Sequence, residues 1–528
     1  MLSSRRDHDD AITKRTAARA TRRELLGLTA LGILAAGTKP ARAADGRLVY
    51  ASHISLAPAW FDPAETSGIV TPFMLLYALH DGLVKPMPGN PAEPCLAESY
   101  SASADGLAHS FVLRAGTTFH NGAPVTAEDV KFSFERYRGN AARFIKEKVA
   151  AVETPDPRRV TFRLHQPWPD FLIYYSSVTG AGWIVPKKYV ESVGEDGFKK
   201  EPVGAGPYRF VSFTPGVELV MEAFEGYWRK TPTVKKLVWK VIPDETTRLA
   251  ALKRGEVDLA YSIRGELAEE LRRTPGLQLK PVVINSPFWI YFADQWDPKS
   301  PWHDARVRKA VTLALDREGI NQALTLGYSL LTGSIVPKDY DFYWQPPKIP
   351  HDPAAARRLL AEAGFKGGFD AGEYYCDASY ANLAEAALNS LEDVGIRVKL
   401  RPIERAAFNT GYAEKKYRNI IQGGSGAFGN AATRMETFVV KGGAYVYGSY
   451  PDIDELFAQQ AVETDSAKRA PILHRMQQLV HERTVYAPLW QLAFLNGQGP
   501  RVDEAAFGLI GGHPYSAPYE DVRVKSGA

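Results

Sequence analysis

A chain of 528 residues is long enough for two or three domains with substantial cores, and 45% hydrophobic and 23% charged residues are ordinary for a soluble globular protein. The formal charge of +4 is concentrated at the amino terminus, where residues 1–43 hold nine Lys or Arg and four acidic residues. Subtracting this +5 segment leaves a net charge of −1, which excludes a basic field for binding DNA or RNA.

Residues 21–43 (TRRELLGLTALGILAAGTKPARA) combine a charged start, an apolar run from Leu25 to Ala36 and a small-x-small ending at Ala41-Arg42-Ala43. This order predicts a secretory signal that is cleaved after Ala43. The apolar run is too short to span a bilayer comfortably. The stretch Thr21–Leu26 resembles the twin-arginine export signal, with an Arg pair in an ordinary Sec signal as the alternative. We therefore expect a soluble exported protein.

The mature chain begins with predicted strands and turns. RLVYAS, Arg47–Ser52, should form the first strand, and Ser101–Phe119 should form a hairpin that turns at Asp105-Gly106. A second strand pair is predicted within Val203–Tyr227, with its turn at Pro215-Gly216.

A capped helix follows the first hairpin. Thr126 stands where a helix N-cap is expected, and Asp129 is in the third position of a capping box. Val130, Phe134 and Tyr137 recur at i, i+4 and i+7, which predicts one buried face.

The sequence predicts a short helix at Thr246–Gly255, and beyond Trp302 it predicts long helices that alternate with strands, as in an α/β protein of two lobes. Glycines at 364 and 395 should end two of the helices. The predicted helices are Thr246–Gly255, Asp304–Leu326, Pro353–Ala363, Leu383–Val394 and Ala467–His481; the predicted strands are VDLAYS, IRVKLRPI, Asn419–Gln422 and VYAPLWQLAFL.

The two cysteines, Cys95 and Cys376, lie far apart in the sequence, and neither follows the predicted cleavage site as a lipid-modified cysteine would. Two buried free thiols are favoured, with a disulfide as the alternative. Neither cysteine has the spacing of a metal ligand, so no metal site is predicted.

Five blocks of the mature chain are more specific. The clearest is LAESYSASADGLAHSFVLRAGTTFHNGAPVTAEDVKFSFER. In order and spacing the blocks resemble the extracytoplasmic solute-binding proteins of ABC importers, in the group that takes peptides, nickel chelates, opines and some oligosaccharides (solute-binding protein family 5). Most of their residues serve turns and caps, so the resemblance concerns the fold and not the ligand. The blocks are Leu96–Arg136, Gly204–Arg229, Thr246–Ala260, Asp304–Ile320 and His351–Phe369.

This resemblance implies an α/β, two-lobed periplasmic-binding-protein fold with an extra inserted subdomain and a ligand cleft between the lobes. Lobe I would combine residues 44–80, 204–285 and 490–528, the inserted subdomain would be 81–203, and lobe II would be 286–489. Hinge crossings would lie near Ile284-Asn285-Ser286 and Ala487-Pro488-Leu489. The expected protein is a periplasmic monomer without a cofactor that captures a small polar solute for ABC permease subunits.

The stretch GGSGAFGNAATR, Gly423–Arg434, is expected to form a wall of that cleft. Dipeptide and oligopeptide binders of the family carry an acid here that pairs with the α-ammonium group of the peptide. This chain has no acid in the stretch, and Asn430 stands near the expected position. The departure counts against simple peptide binding, and the alternative is that another acid comes from elsewhere in the cleft. Arg434 offers fork donors for a carboxylate, phosphate or hydroxyl pair. The alternative is that Arg434 pairs with Glu436 or with another surface acid.

Other candidate ligand contacts are aromatic or polar side chains near the implied cleft. The pairs Trp289/Tyr291 and Tyr445/Tyr447 have i, i+2 spacing, which aims both rings in one direction. The other candidates follow the first strand or begin a helix. For each candidate, core packing or solvent exposure is an equally good explanation. They are Trp289, Tyr291, Tyr445, Tyr447, Tyr380, His53 and Ser55.

A secreted hydrolase is a less favoured alternative. GGSGA misses the nucleophile-elbow pattern because Ala427 replaces its second glycine, and Val485 stands where a zinc-protease motif that starts at His481-Glu482 needs its second histidine. In GAGPYR, Arg209 replaces the third glycine of a dinucleotide motif. No catalytic residue is therefore predicted, and a ligand sensor built on the same fold stays a third possibility.

Overall fold

The computed structural model describes residues 46–65, 70–139, 141–425 and 429–525. The predicted signal segment and its cleavage site lie outside the described residues. Within the described residues, no helix has both the length and the apolar character that crossing a membrane requires. The architecture is α/β, with one large mixed sheet, a separate antiparallel sheet and helices that pack on them.

The strands are numbered in chain order. They are β1 (Arg47–Ser52), β2 (Asp81–Gly82), β3 (Val84–Met87), β4 (Asn90–Pro94), β5 (Ala97–Ala102), β6 (Ala108–Leu113), β7 (Val149–Asp156), β8 (Arg159–Leu164), β9 (Trp183–Ile184), β10 (Tyr208–Thr214), β11 (Glu218–Ala223), β12 (Lys236–Val241), β13 (Leu259–Ala260), β14 (Gln278–Phe292), β15 (Leu330–Leu331), β16 (Phe369–Asp377), β17 (Ile396–Ile403), β18 (Ile420–Gly424), β19 (Tyr486–Gln498), β20 (Val502–Glu504) and β21 (Arg523–Val524).

The large sheet has the order β10-β11-β12-β1-β13-β19-β14-β18-β16-β17, and β15 pairs with β19. Strands β10 to β13 come from the segments predicted as lobe I, whereas β16 to β18 come from those predicted as lobe II. The central strands β14 and β19 run through both predicted lobes. They are antiparallel neighbours, so the two chain crossings are hydrogen-bonded to each other.

Pairing between β14 and β19 is irregular at two places. The register shifts between Val283 and Pro287, and again between Phe288 and Trp289. A proline cannot donate a ladder hydrogen bond, which weakens the sheet locally. The first irregularity covers residues 284–286, where the sequence predicts one of the hinge crossings.

A separate antiparallel sheet has the order β5-β6-β8-β7. The predicted first hairpin is confirmed as β5 and β6, with Gly106 in its turn at a φ of 68°. The hairpin starts at Ala97, before the predicted Ser101, and ends at Leu113, before the predicted Phe119. Phe111 and Leu113 face inward and are buried, as their alternation indicated.

The helices are distributed along the chain, and Phe171–Ile173 continues as a π-helical turn over Tyr174–Val178. They are Val70–Leu79, Ala127–Arg136, Ala142–Lys148, Phe171–Ile173, Lys187–Lys200, Glu245–Lys253, Gly265–Arg273, Ala305–Ala314, Arg317–Thr325, Pro353–Glu362, Ala381–Glu392, Arg405–Ala413, Ala431–Phe438, Pro451–Ala461 and Ser466–Glu482.

The capping box at Thr126 and Asp129 is confirmed. The backbone N–H of Thr126 donates to Asp129 Oδ2 over 2.9 Å, and the reciprocal bond to the Thr126 side chain is present. Val130, Phe134 and Tyr137 are all buried, which confirms the predicted apolar face.

One predicted helix was wrong. The stretch Asp304–Leu326 forms two helices, because Leu315 adopts an extended conformation and Asp316 caps a new helix. The Asp316 side chain accepts a hydrogen bond from the Gly319 N–H over 2.9 Å, which satisfies a donor that a continuous helix would have bonded to a carbonyl.

The predicted strand VDLAYS is also shorter than expected, since only Leu259–Ala260 pairs as β13. Cys95 and Cys376 are buried and free, in agreement with the favoured prediction. Burial raises the pKa of both thiols, to about 12 for Cys376.

Candidate ligand-binding cavity

A cavity of about 740 Å³ lies between residues from both halves of the chain. Trp60, Thr71, Tyr137 and Tyr174 line it from the first half, and the segments 405–412, 423–425 and 433–458 contribute from the second half. Its size is within the range of cavities that enclose an organic molecule of several hundred daltons.

The end of β18 forms part of the wall. Gly423, Gly424 and Ser425 line the cavity. An added Cβ at Gly423 would lie 2.4 Å from Nε1 of Trp289, and one at Gly424 would lie 2.8 Å from the Phe288 ring. Close packing of β18 on these two rings of β14 therefore requires glycine at both positions. Residues 426–428 of the same stretch lie outside the described residues.

Gly423→Ala is expected to lower the free energy of unfolding by about 1–3 kcal/mol, because the new methyl group overpacks the buried Trp289 indole. Urea denaturation of the purified protein measures this loss. Gly367→Ala is the matched control, since an added Cβ there meets no atom within 4 Å. Equal stability of both variants would contradict the argument for close packing.

Arg434 lies on the helix Ala431–Phe438, is buried and lines the cavity. Its Nη2 donates to Tyr340 Oη over 3.1 Å, and its guanidinium lies 5.4 Å from the Tyr340 ring centroid. Among the described residues no carboxylate lies within ion-pair distance of Arg434. The alternative pairing with Glu436 is therefore not found.

Glu436 follows on the same helix and also lines the cavity. Tyr174 Oη, from the first half of the chain, donates to Glu436 Oε2 over 2.5 Å. Burial raises the pKa of Glu436 to about 8, although the Tyr174 hydrogen bond and the charge of Lys148 act to lower it. A carboxyl group with this pKa is mostly protonated at neutral pH.

Arg405 is a second cation on the wall, partly buried at the start of the helix Arg405–Ala413. It forms an ion pair with Asp377, and its Nε donates to Thr71 Oγ1 over 2.7 Å. Burial disfavours its charge, but the Asp377 carboxylate outweighs this effect and the pKa of Arg405 is raised. Arg405 thus connects the second half of the chain to a helix of the first half.

A buried polar network also joins the two halves. Arg469 Nη2 lies 2.7 Å from Asp170 Oδ2, and both side chains are buried. Asn430 Nδ2 donates to Asp170 Oδ1 over 2.7 Å, and Gln460 Oε1 accepts from Arg469 Nη2, also over 2.7 Å. Both charged groups of the Arg469–Asp170 pair therefore have hydrogen-bond partners, as buried charges require.

Two of the predicted ligand contacts, Arg434 and Tyr445, line the cavity. The Tyr445 ring is stacked on Phe438 with centroids 5.3 Å apart. Asn430 does not line it, because its amide is used by Asp170 and by the cap of the helix Ala431–Phe438, where its Oδ1 accepts from the Thr433 N–H.

The other predicted aromatic contacts lie behind the wall. Trp289 is buried against Phe438, and Tyr291 Oη accepts from Trp296 Nε1 over 3.1 Å. Tyr447 packs on Tyr291, with ring centroids 5.6 Å apart. These three residues support the lining, and their role as ligand contacts stays a prediction.

Tyr380 also lies behind the wall, with the Arg405 guanidinium 5.6 Å from its ring centroid. His53 is buried against Tyr515, and burial together with the charge of nearby arginines lowers its pKa. Ser55 is exposed at the surface. None of the three lines the cavity, and their part in binding likewise stays a prediction.

Sequence reasoning missed Arg405, Glu436, Tyr174 and Asp170. Arg405 and Glu436 lie on helices, Asp170 precedes the short helix Phe171–Ile173, and Tyr174 begins the π-helical turn. The partner of each is distant in the sequence, so no local signal marks them. Among the described residues, no group of three or more His, Cys, Asp or Glu is arranged to hold a metal ion.

A comparison with protein-family models matches residues 92–445 to the bacterial extracellular solute-binding proteins, family 5. The chain belongs to this family. Solute-binding proteins of family 5 are the substrate-binding components of ABC importers and deliver small solutes to the permeases, and this is the role of the present chain.

Curated relatives of this solute-binding protein include two glutathione-binding proteins GsiB. That of Salmonella typhimurium LT2 is 28% identical over 350 residues, which are 64% of this chain and 67% of the relative. That of Pectobacterium atrosepticum is 27% identical over 393 residues, which are 71% of this chain and 75% of the relative.

Solved structures show the same two-lobed fold. AgaA of A. tumefaciens R10 in complex with agropinic acid has a TM-score of 0.78 and 24% identity, over 91% of this chain and 99% of that one. The dipeptide binding protein from Pseudoalteromonas sp. SM9913 in complex with Met-Leu has a TM-score of 0.79 and 20% identity, over 91% of this chain and 100% of that one.

Proposed function

We propose that the family 5 protein encloses one small polar organic solute in the 740 Å³ cavity and releases it chemically unchanged to its permease. The supporting observation is that one cavity takes its wall from both the inserted subdomain (81–203) and lobe II (286–489). Lobe I, residues 44–80, 204–285 and 490–528, supplies Trp60 and Thr71 to the same wall.

Closure around the solute is the mechanism of capture. A solute that touches both sides gains its full set of contacts only when the lobes are closed, so it stabilises the closed form selectively. A micromolar affinity corresponds to about 8 kcal/mol of net binding energy. A few buried hydrogen bonds and one or two aromatic contacts supply this amount, and the permease then distinguishes closed from open protein.

The solute carries an anionic group or several hydroxyl groups. Arg434 is buried on the wall without a carboxylate partner among the described residues, and its planar donors fit a carboxylate. Tyr445 supplies an aromatic face beside it. One relative is a glutathione-binding protein, and two similar structures contain agropinic acid and the dipeptide Met-Leu. Glutathione, agropinic acid and Met-Leu are therefore the first compounds to test.

The test is a thermal-shift screen with glutathione, Met-Leu, agropinic acid, a sugar and an aromatic acid, followed by small-angle X-ray scattering with each hit. We expect one class to raise the melting temperature and to reduce the radius of gyration. Mass spectrometry of the hit after incubation must recover it intact. Chemical conversion of the hit, or a scattering profile that no compound contracts, would overturn the proposal.

Arg434→Ala is expected to weaken binding of the hit at least tenfold, which is about 1.4 kcal/mol, because the buried fork donors are lost. Isothermal titration calorimetry measures the change. Arg523→Ala is the control, since Arg523 forms an exposed pair with Asp503 far along the chain from the lining residues. Unchanged affinity in Arg434→Ala would remove Arg434 as an anchor.

The mature protein is a monomer in the periplasm, exported by the twin-arginine route and cleaved after Ala43. Amino-terminal sequencing of the protein recovered from the periplasm tests this part. A first residue other than Ala44 would move the cleavage site, and export that continues in cells without the twin-arginine translocase would favour the Sec route.

A further inference from the structure

Most charged side chains of the cavity wall already have partners. Arg143 and Glu147 form an exposed pair at 2.7 Å, and Arg405 is paired with Asp377. Asp454 accepts hydrogen bonds from the Lys441 backbone N–H over 2.8 Å and from Ser449 Oγ over 2.6 Å. The Lys441 side chain is exposed.

Two charged groups of the wall differ from these. Arg434 and Glu436 have no ion-pair partner among the described residues, and each is instead bonded to a tyrosine, Tyr340 and Tyr174 respectively. Side chains two positions apart leave a helix in directions that differ by roughly 200°. Arg434 and Glu436 therefore leave the helix in different directions, and each offers its own contact to the cavity.

The surroundings of Glu436 favour a cation. Tyr174 donates one hydrogen bond to it, and the charged groups that act on it from neighbouring elements are Lys148 and Asp170, of opposite sign. Its second carboxyl oxygen has no protein donor among the described residues. A carboxyl group in this position is a hydrogen-bond partner for an ammonium group, which carries three donors.

We propose that Glu436 binds a cationic amino group of the solute while Arg434 binds a carboxylate, so that the cavity selects a zwitterionic solute. This inference rests on the proposed function. In the closed cavity without an amine, Glu436 is a neutral acid that accepts the Tyr174 hydrogen bond. An ammonium group enclosed beside Glu436 favours its carboxylate form, and the two charges then pair.

The acid that dipeptide binders of the family place in the glycine-rich stretch is missing here, since Asn430 stands near its position and bonds to Asp170. Glu436 lies on the following helix and faces Tyr174 of the opposite wall. Amine recognition in this protein therefore comes from a different element and is completed only when Tyr174 and Glu436 are together.

The experiment measures binding of glutathione and Met-Leu, each with a free or an N-acetylated amine, to the full mature protein by calorimetry at pH 7. We expect acetylation to weaken binding at least tenfold. Glu436→Gln should weaken binding of the free amine at least tenfold and leave the acetylated compound within twofold.

Tyr174→Phe is the comparison variant, because it removes the hydrogen bond between the two walls and keeps the carboxyl group. If Glu436→Gln and Tyr174→Phe weaken the free and acetylated compounds equally, Glu436 only bridges the walls and the inference is overturned. If neither glutathione nor Met-Leu binds, the inference about a zwitterionic solute is also overturned. The proposed function is then tested separately by the sugar and the aromatic acid of the thermal-shift screen.

Discussion

Lowering the pH from 7.5 to 5 is expected to reduce the free energy of unfolding by about 4 kcal/mol through His80 and His513 alone. Both side chains are fully buried, and burial lowers the pKa of each from 6.5 to about 4. His80 Nε2 donates to the Phe61 carbonyl oxygen, and His513 Nδ1 donates to that of Gly511. In each ring the other nitrogen has no partner among the described residues, so a second proton would be buried without an acceptor.

The sign follows from proton binding. Below pH 6.5 the unfolded chain binds protons at these histidines, whereas the folded protein binds them only near pH 4. The stability is therefore complete above pH 6.5 and is lost as the pH falls toward 4. Each histidine contributes about 2 kcal/mol of this loss at pH 5, since one unit of pKa corresponds to about 1.4 kcal/mol.

Urea denaturation at several pH values between 4.5 and 7.5 measures the effect. His513→Phe should remove about 2 kcal/mol of the loss between pH 7.5 and 5, because a phenyl ring keeps the stacking on Phe73, whose ring lies 5.2 Å away at 6°, and cannot take up a proton. His165→Gln is the control at an exposed position. Stability that stays constant from pH 7.5 to 5 would contradict the prediction.

Much of the fold was accessible from local sequence signals. The capping box at Thr126 and the strand Ile396–Ile403 were predicted because turn, cap and alternation patterns depend on residues that are near each other in the chain. The same reasoning failed at Asp316, where an acidic residue inside an apparently continuous helical pattern is an N-cap. Sequence periodicity does not distinguish one long helix from two short helices that keep the same buried face.

The cavity was less accessible. The Tyr174–Glu436 contact joins residues 262 positions apart, and the Asp170–Arg469 contact joins residues 299 positions apart. Such pairs depend on how the two halves pack, and neither residue type nor spacing indicates them. The glycine-rich stretch was informative because glycine there has a steric cause, the close approach of Gly423 to Trp289.

Asp170→Asn is expected to shift the protein toward an open form and to weaken solute binding at least a hundredfold. Removal of one member of a buried ion pair costs about 3–5 kcal/mol, because the other charge stays buried without its partner. Arg469 would keep Gln460 as an acceptor but lose its carboxylate. If the proposed inserted subdomain separates from the proposed lobe II, Arg469 returns to water, so opening relieves most of this cost without unfolding the chain.

Small-angle X-ray scattering and calorimetry with the best solute test this prediction. The radius of gyration of Asp170→Asn should exceed that of the wild type without solute, while urea unfolding changes by less than the loss in binding energy. Asp503→Asn, which breaks the exposed pair with Arg523, should change neither quantity. Adding Arg469→Met should restore much of the closed form, since no buried charge is then left unpaired. If Asp170→Asn instead lowers the unfolding free energy by the full amount and leaves the scattering unchanged, the pair stabilises the fold in general and does not control closure.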